Sequence, residues 1–262
     1  MAQDYLILCL AAALGGAVNS IAGGGTLLTF PVLFAALGSS GADAVLANGT
    51  STVALVPGSI AALFGYRREI QLERFWAARL LLPSLIGGFI GSLLVVMLPG
   101  DSFKSAVPWL IFGAAMLFAL QPRIAKWTGI GGSHNLAPSR GLIAGAVVFQ
   151  FFVAIYGGYF GAAAGIMMLS ALAMMGLTDI HRMNAVKTLL TSVINGTSVL
   201  VFVATGNVHW PYALAMAASA SLGGYAGAHG ARRIDRTVVR AVVVVIGFVL
   251  AGYYFYRQIG DW

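Results

Sequence analysis

The sequence predicts an all-α, polytopic membrane protein made of two inverted five-segment repeats, each containing a glycine-broken short or re-entrant helix. Three observations carry this: scarce charge, recurrent apolar runs, and an ordered series of matched motifs in the two halves. Of 262 residues, 9% are charged and 59% hydrophobic, with a mean hydropathy of +0.88. A soluble domain carries about a quarter charged residues. With so few, its exterior would be largely apolar patch. Soluble enzymes, nucleic-acid binders and disordered scaffolds are therefore excluded. Alternating ten-residue strands are absent from the sequence, which argues for helices rather than a barrel.

Apolar runs between turn and charge signals define ten segments, at about 4–22, 25–38, 43–65, 75–98, 104–121, 139–158, 162–177, 181–205, 210–228 and 237–257. The runs 25–38 and 162–177 are too short to cross roughly 30 Å of hydrocarbon upright. Each follows a glycine cluster: GGG at Gly23 to Gly25, and GGYFGAAAG from Gly157 to Gly165. Short glycine-interrupted segments at matching places in two halves point to broken helices. A cleavable signal peptide is not expected, because the start carries Asp4 and no base. Cys9 stands alone, so no internal disulfide forms. The four histidines are scattered, with no metal-ligand spacing; no metal or other cofactor is expected.

The halves match in order. Gly23 to Leu28 aligns with Ala163 to Met168, Pro57-Gly58-Ser59 with Asn195-Gly196-Thr197, GGFIG at Gly87 with GGYAG at Gly223, and Asp101 with Asp235. Residues 1–121 form the first repeat, 122–138 a linker and 139–262 the second. Arg67, Arg68, Arg74, Arg123, Lys126, Arg182, Arg232, Arg233 and Arg236 then fall on one side. The other side holds Asp4, Asp43, Asp101, His209 and Asp261, with only Lys104 and Arg257 as bases. The Arg-rich side, linker included, is expected in the cytoplasm and both termini in the periplasm. An odd number of segments per half makes the repeat inverted.

At NSIAGGGTLLTFPVL, at GGYFGAAAGIMMLSAL and at the following RMNAVKTLLTSVINGTS, the chain resembles the sulfite exporter TauE/SafE family, also called 4-toluenesulfonate uptake permeases. The resemblance runs from Gly15 to about Tyr254. It departs at AAAG, where the family often has more glycine; alanine restricts positive φ. The resemblance implies a multi-pass bacterial inner-membrane carrier of small anions such as sulfite, sulfonates or related sulfur compounds.

The residues suit an anion. All eight acids (Asp4, Asp43, Glu69, Glu73, Asp101, Asp179, Asp235, Asp261) lie at termini, loops or segment edges. A carboxylate proton relay or an acid-ringed cation channel is thus disfavoured. Lys187 is the base of interest. Snorkelling to the interface is one reading. Pairing with an internal anion is the other, favoured by a polar stripe of Asn184, Lys187, Thr188, Thr191 and Asn195. Arg79, equally deep but among apolar neighbours, is expected to snorkel. In the first half Asn48, Thr50, Ser51, Thr52 and Ser59 form the related stripe. Hydroxyls there commonly bond carbonyls of their own helix, whereas Asn48 needs outside partners. Lys187 aligns with Gly49, so the charge comes from one half only.

The helices restarting after the breaks are expected to aim free N–H groups at an oxyanion, near Gly25, Thr26 and Leu27 and near Gly165 and Ile166. The candidate substrate-binding set is Asn19, Gly24, Gly25, Thr26, Asn48, Ser51, Tyr156, Tyr159, Gly165, Asn184, Lys187, Thr191 and Asn195. No catalytic residue is expected: Ser–His, Cys–His and HExxH arrangements are missing at membrane depth. Gly87, Gly88, Gly91, Gly223, Gly224 and Gly227 are expected only to let helices pack closely. The expected activity is secondary transport of a small anion by alternating access between the repeats. A passive anion channel is the alternative, and an intramembrane enzyme a distant third. The expected partners are the anionic substrate and the lipid bilayer, not nucleic acid, with homo-oligomers left open.

Overall fold

The computed structural model describes residues 2–21, 23–38, 40–127, 139–177, 179–230 and 236–260. These form eleven helices: α1 (Ala2–Ile21), α2 (Thr26–Leu37), α3 (Gly41–Gly65), α4 (Arg67–Leu72), α5 (Arg74–Met97), α6 (Gly100–Trp127), α7 (Arg140–Tyr159), α8 (Ala164–Met174), α9 (Ile180–Ala204), α10 (Trp210–Gly230) and α11 (Arg236–Gly260). Ten coincide with the apolar runs. The eleventh, α4, stands where a loop was expected, because RREIQL has no apolar periodicity to announce it. α6 runs on through 122–127, and the remaining linker, 128–138, lies outside the described residues. So do Arg232, Arg233, Asp235 and Asp261, which entered the charge argument.

Among the described residues six helices are long and apolar enough to span a membrane: α3, α5, α6, α7, α9 and α11. The 12-residue α2 and 11-residue α8 reach only about 17–18 Å at 1.5 Å per residue. α1 and α10 have the length, at 20 and 21 residues, but carry much Gly, Ala and Ser. They pack side by side, with Gly16 on Ala220, Gly223 on Ala13 and Gly227 on Ala17. α5 and α7 pack in the same way, with Gly87 on Phe151 and Ala154 and Gly91 on Ile155. The close-packing role expected of these glycines is met.

Both of these pairs run parallel. The α1–α10 seam advances from Tyr5–Tyr212 through Cys9–Ala215 to Ala17–Gly227. The α5–α7 seam advances from Ser84–Gln150 to Gly88–Gly158. By contrast α6 and α11 run antiparallel, with Ser105 by Gln258, Trp109 by Phe255 and Ala115 by Gly247. In the ten-segment numbering, the first segment of each half packs on the fourth of the other, and the two fifths pack on each other. The third segments, α3 and α9, also pack on each other. Side-chain caps open several of these helices, among them α10, where the Tyr212 N–H donates to His209 Nδ1. Ser40 and Asp43 form a reciprocal capping box on α3, Ser139 caps α7, and Asp179 caps α9 through the N–H groups of His181 and Arg182.

Candidate functional site

The site begins where the two glycine breaks touch. α2 folds back along α1, bringing Gly15 against Gly25 and Thr29. Gly23 makes the turn with a left-handed φ of 74°. A Cβ on Gly23 would lie 3.1 Å from the Gly165 Cα, tighter than a side chain tolerates, so two bare backbones are needed for the contact. Thr26 lies beside Gly161 in the same crossing. In the second break Ala163, the residue aligned with Gly23, also takes the left-handed region, with φ 64°. It is the one described non-glycine residue to do so, at a steric cost of about 1–2 kcal/mol. The alanine that departs from the glycine-rich pattern therefore adopts the glycine conformation under strain.

The expected free donors at these helix starts are partly used internally. The Leu27 N–H closes on the Gly24 carbonyl at 3.1 Å, and the Ile166 N–H on the Ala163 carbonyl at 3.0 Å. Neither is available to a ligand, because each helix begins with a tight i to i+3 turn.

Lys187 lies beside the crossing. Its side chain is 1% exposed, and its Nζ is 3.7 Å from where a Gly23 Cβ would stand. A lysine so enclosed by protein does not have the geometry of snorkelling. Arg79 does: it is exposed, with its guanidinium 3.5 Å above the Phe75 ring.

Lys187 lines a small cavity with Thr188 and Thr191 of α9, Gly16, Asn19 and Ser20 of α1, Gly23 of the break that follows α1, and Leu55, Gly58, Ser59 and Ala62 of α3. Its volume, about 10 Å³, is the lower limit for a single water. One wall is braced: Asn19 Nδ2 donates to Ser59 Oγ at 3.1 Å, and Ser59 Oγ donates to the Leu55 carbonyl. Ser20 is turned to the Ala17 carbonyl. Unlike Ser192, Thr197 and Ser198, which bond carbonyls of α9, the Thr191 hydroxyl donates, among the described residues, to the Met168 sulfur at 3.7 Å. Thr188 is buried and makes no such bond among the described residues. The wall thus presents an ammonium and two hydroxyls, a donor set suited to an oxyanion.

Of the candidate residues, Asn19, Lys187 and Thr191 line this cavity, and Gly165 abuts Lys187. The others lie elsewhere. Gly24 packs on the Phe118 ring and Gly25 on Gly15. Ser51 shares a 2.6 Å hydrogen bond with Thr29. Asn48 donates to the Tyr159 carbonyl at 3.0 Å, and Tyr156 donates its hydroxyl to the Ala162 carbonyl at 2.7 Å. Both bonds hold the second break rather than face the cavity. The Tyr159 ring rests edge-on against Phe103. Asn184 is 3% exposed; its Oδ1, like that of Asn48, is buried without a hydrogen-bond partner among the described residues. Asn195 is half-buried and outside the cavity.

Ser20, Ser59 and Thr188 belong to the wall but not to the candidate set. For Thr188 the signal was its place beside Lys187 on the polar stripe. Ser59 does bond its own helix, as Thr50 and Thr52 do, yet it still accepts from Asn19.

Known proteins resemble the chain along most of its length. The family described as Sulfite exporter TauE/SafE matches residues 8–254. The chain is 28% identical over 255 residues to the "Probable membrane transporter protein YfcA" of Escherichia coli K12, covering 97% of this chain and 91% of that one. It is 25% identical over 244 residues to a "Probable membrane transporter protein" of Haemophilus influenzae, covering 92% and 90%. A "Probable membrane transporter protein ORF9" of Sinorhizobium sp is likewise 25% identical over 244 residues.

Proposed function

The chain belongs to the sulfite exporter TauE/SafE family, and we propose that it is a secondary carrier in the bacterial inner membrane for a small anion. Sulfite, a sulfonate or a related sulfur-containing or organic anion fits, held by Lys187, Thr188 and Thr191 beside the crossing of the two breaks. One observation carries this reading. A lysine 1% exposed stands beside two threonines in a small cavity inside a membrane protein, and intramembrane bases enclosed this way are retained for work on charge.

Alternating access between two inverted repeats agrees with the reciprocal packing of the segments and with the antiparallel α6–α11 pair. Both termini then lie in the periplasm, and α4 with the 122–138 linker in the cytoplasm. The cavity's size favours a carrier over a channel. An oxyanion is several times larger than the one water the cavity admits, so loading requires the helices to part. A conducting pore would keep a continuous path open.

The test is flux in proteoliposomes. Saturable, counter-ion-stimulated exchange of sulfite or a small sulfonate is expected. Conductance far above carrier turnover would establish the channel instead.

A further inference from the structure

Resting on the carrier reading and its topology, we propose that α4 is a strap closing the cytoplasmic mouth of the Lys187 cavity, latched by the ion pair of Glu73 with Arg182. The cavity lies in the seam between α3 and α9, bounded by Ala62 on one and Lys187 on the other. α3 ends at Gly65, and the chain turns through Tyr66 into α4, which packs on α9 before α5 begins at Arg74. The strap therefore crosses the seam about one helical turn beyond the cavity. Its charges are sorted. Arg67 and Arg68 are exposed, whereas Glu69 buries its Oε2 and Glu73 has only 16% of its side chain exposed. Arg182, five residues before Lys187 on α9, donates to the Glu73 carboxylate at 3.3 Å and pairs with Asp179 at 3.6 Å. Asp179 belongs to α9 and travels with it. Glu73 stands at the strap's far end, where α4 meets α5, so its bond pins that end of the strap to α9. Partly exposed ion pairs are weak, which suits a latch that must open in every cycle.

The test reads cavity access without any substrate. In a Cys9→Ser background, a cysteine at Ala62→Cys is labelled by a charged, membrane-impermeant thiol reagent in inside-out vesicles. Glu73→Gln and Arg182→Gln should each speed labelling about two- to fivefold, the range over which such a pair biases an equilibrium. The double variant should be no faster than either single one, because both remove the same latch. Labelling from the periplasmic face should not rise. Unchanged rates in the single variants, multiplied effects in the double variant, or an equal rise from both faces would each overturn the strap. Anion binding lost in Lys187→Ala would still stand in any of those cases, so the site and the strap fail separately.

Discussion

The two ends of the α3–α9 seam are made from the same pair of helices and come to opposite results. At one end Lys187 faces Leu55, Gly58, Ser59 and Ala62 across a cavity. At the other, Gly49 stands where the repeat would place the lysine, pressed by the Asn207 carbonyl and the Phe202 ring. That end is packed shut by Phe103, Phe160 and Phe202, each at most 2% exposed, and is tied by His209 N–H donating to Thr50 Oγ1 at 3.0 Å. The lesson is that two helices matched in sequence order can differ in chemistry at corresponding positions, a lysine beside a cavity in one and a closely packed glycine in the other. Apolar fill closes one end of the α3–α9 contact, whereas the other end keeps a small cavity beside a buried charge.

Moving the charge is the harshest way to break this comparison. Gly49→Lys should not create a second site. It meets backbone and aromatic atoms directly and buries an unpaired charge, costing on the order of 3–5 kcal/mol of stability, seen as loss of folded protein in detergent. A stable variant binding two anions per chain would contradict the asymmetry. Ser59→Ala sharpens it from the other side. Removing the acceptor for Asn19 should weaken anion binding by about 0.5–1.5 kcal/mol with little change in melting temperature, while Thr50→Ala, at the packed end, should leave affinity unchanged. Ala163→Gly compares the two breaks. Relief of the left-handed alanine, less the greater freedom of glycine when unfolded, should stabilise by about 0.5–1 kcal/mol, read as a higher melting temperature. The smallest effect expected is none: Asp43→Asn and Asp179→Asn should leave the pH dependence of transport intact. Its loss in either would place proton coupling on a carboxylate.

Much of the fold was legible because apolar runs of bilayer length and glycine clusters are properties of the chain alone. The ten segments, the doubled glycine breaks and the small-residue seams follow from them. α4 was not, since six charged and mixed residues form a helix here by packing on α9. The cavity wall was legible at Lys187, Thr191 and Asn19, where polarity interrupts apolar helices. Helical spacing put Asn195 on the same stripe but could not say how far the cavity extends along it. Tyr156 and Asn48 looked like ligands for the same reason that they matter structurally: each carries a polar group that must find a partner near the second break. The free N–H groups at Leu27 and Ile166 were lost to tight turns that no spacing rule reveals.

The central claim, that Lys187 supplies the charge for a bound anion, is tested most directly by equilibrium binding of sulfite and small sulfonates to purified protein. Lys187→Ala should lower affinity by about 1.5–3 kcal/mol, roughly ten- to a hundredfold, with the variant still folded and inserted. Lys187→Arg should restore part of it, because a wider guanidinium fits a compact cavity differently. A Lys187→Ala protein that binds the same anion with unchanged affinity would contradict the account.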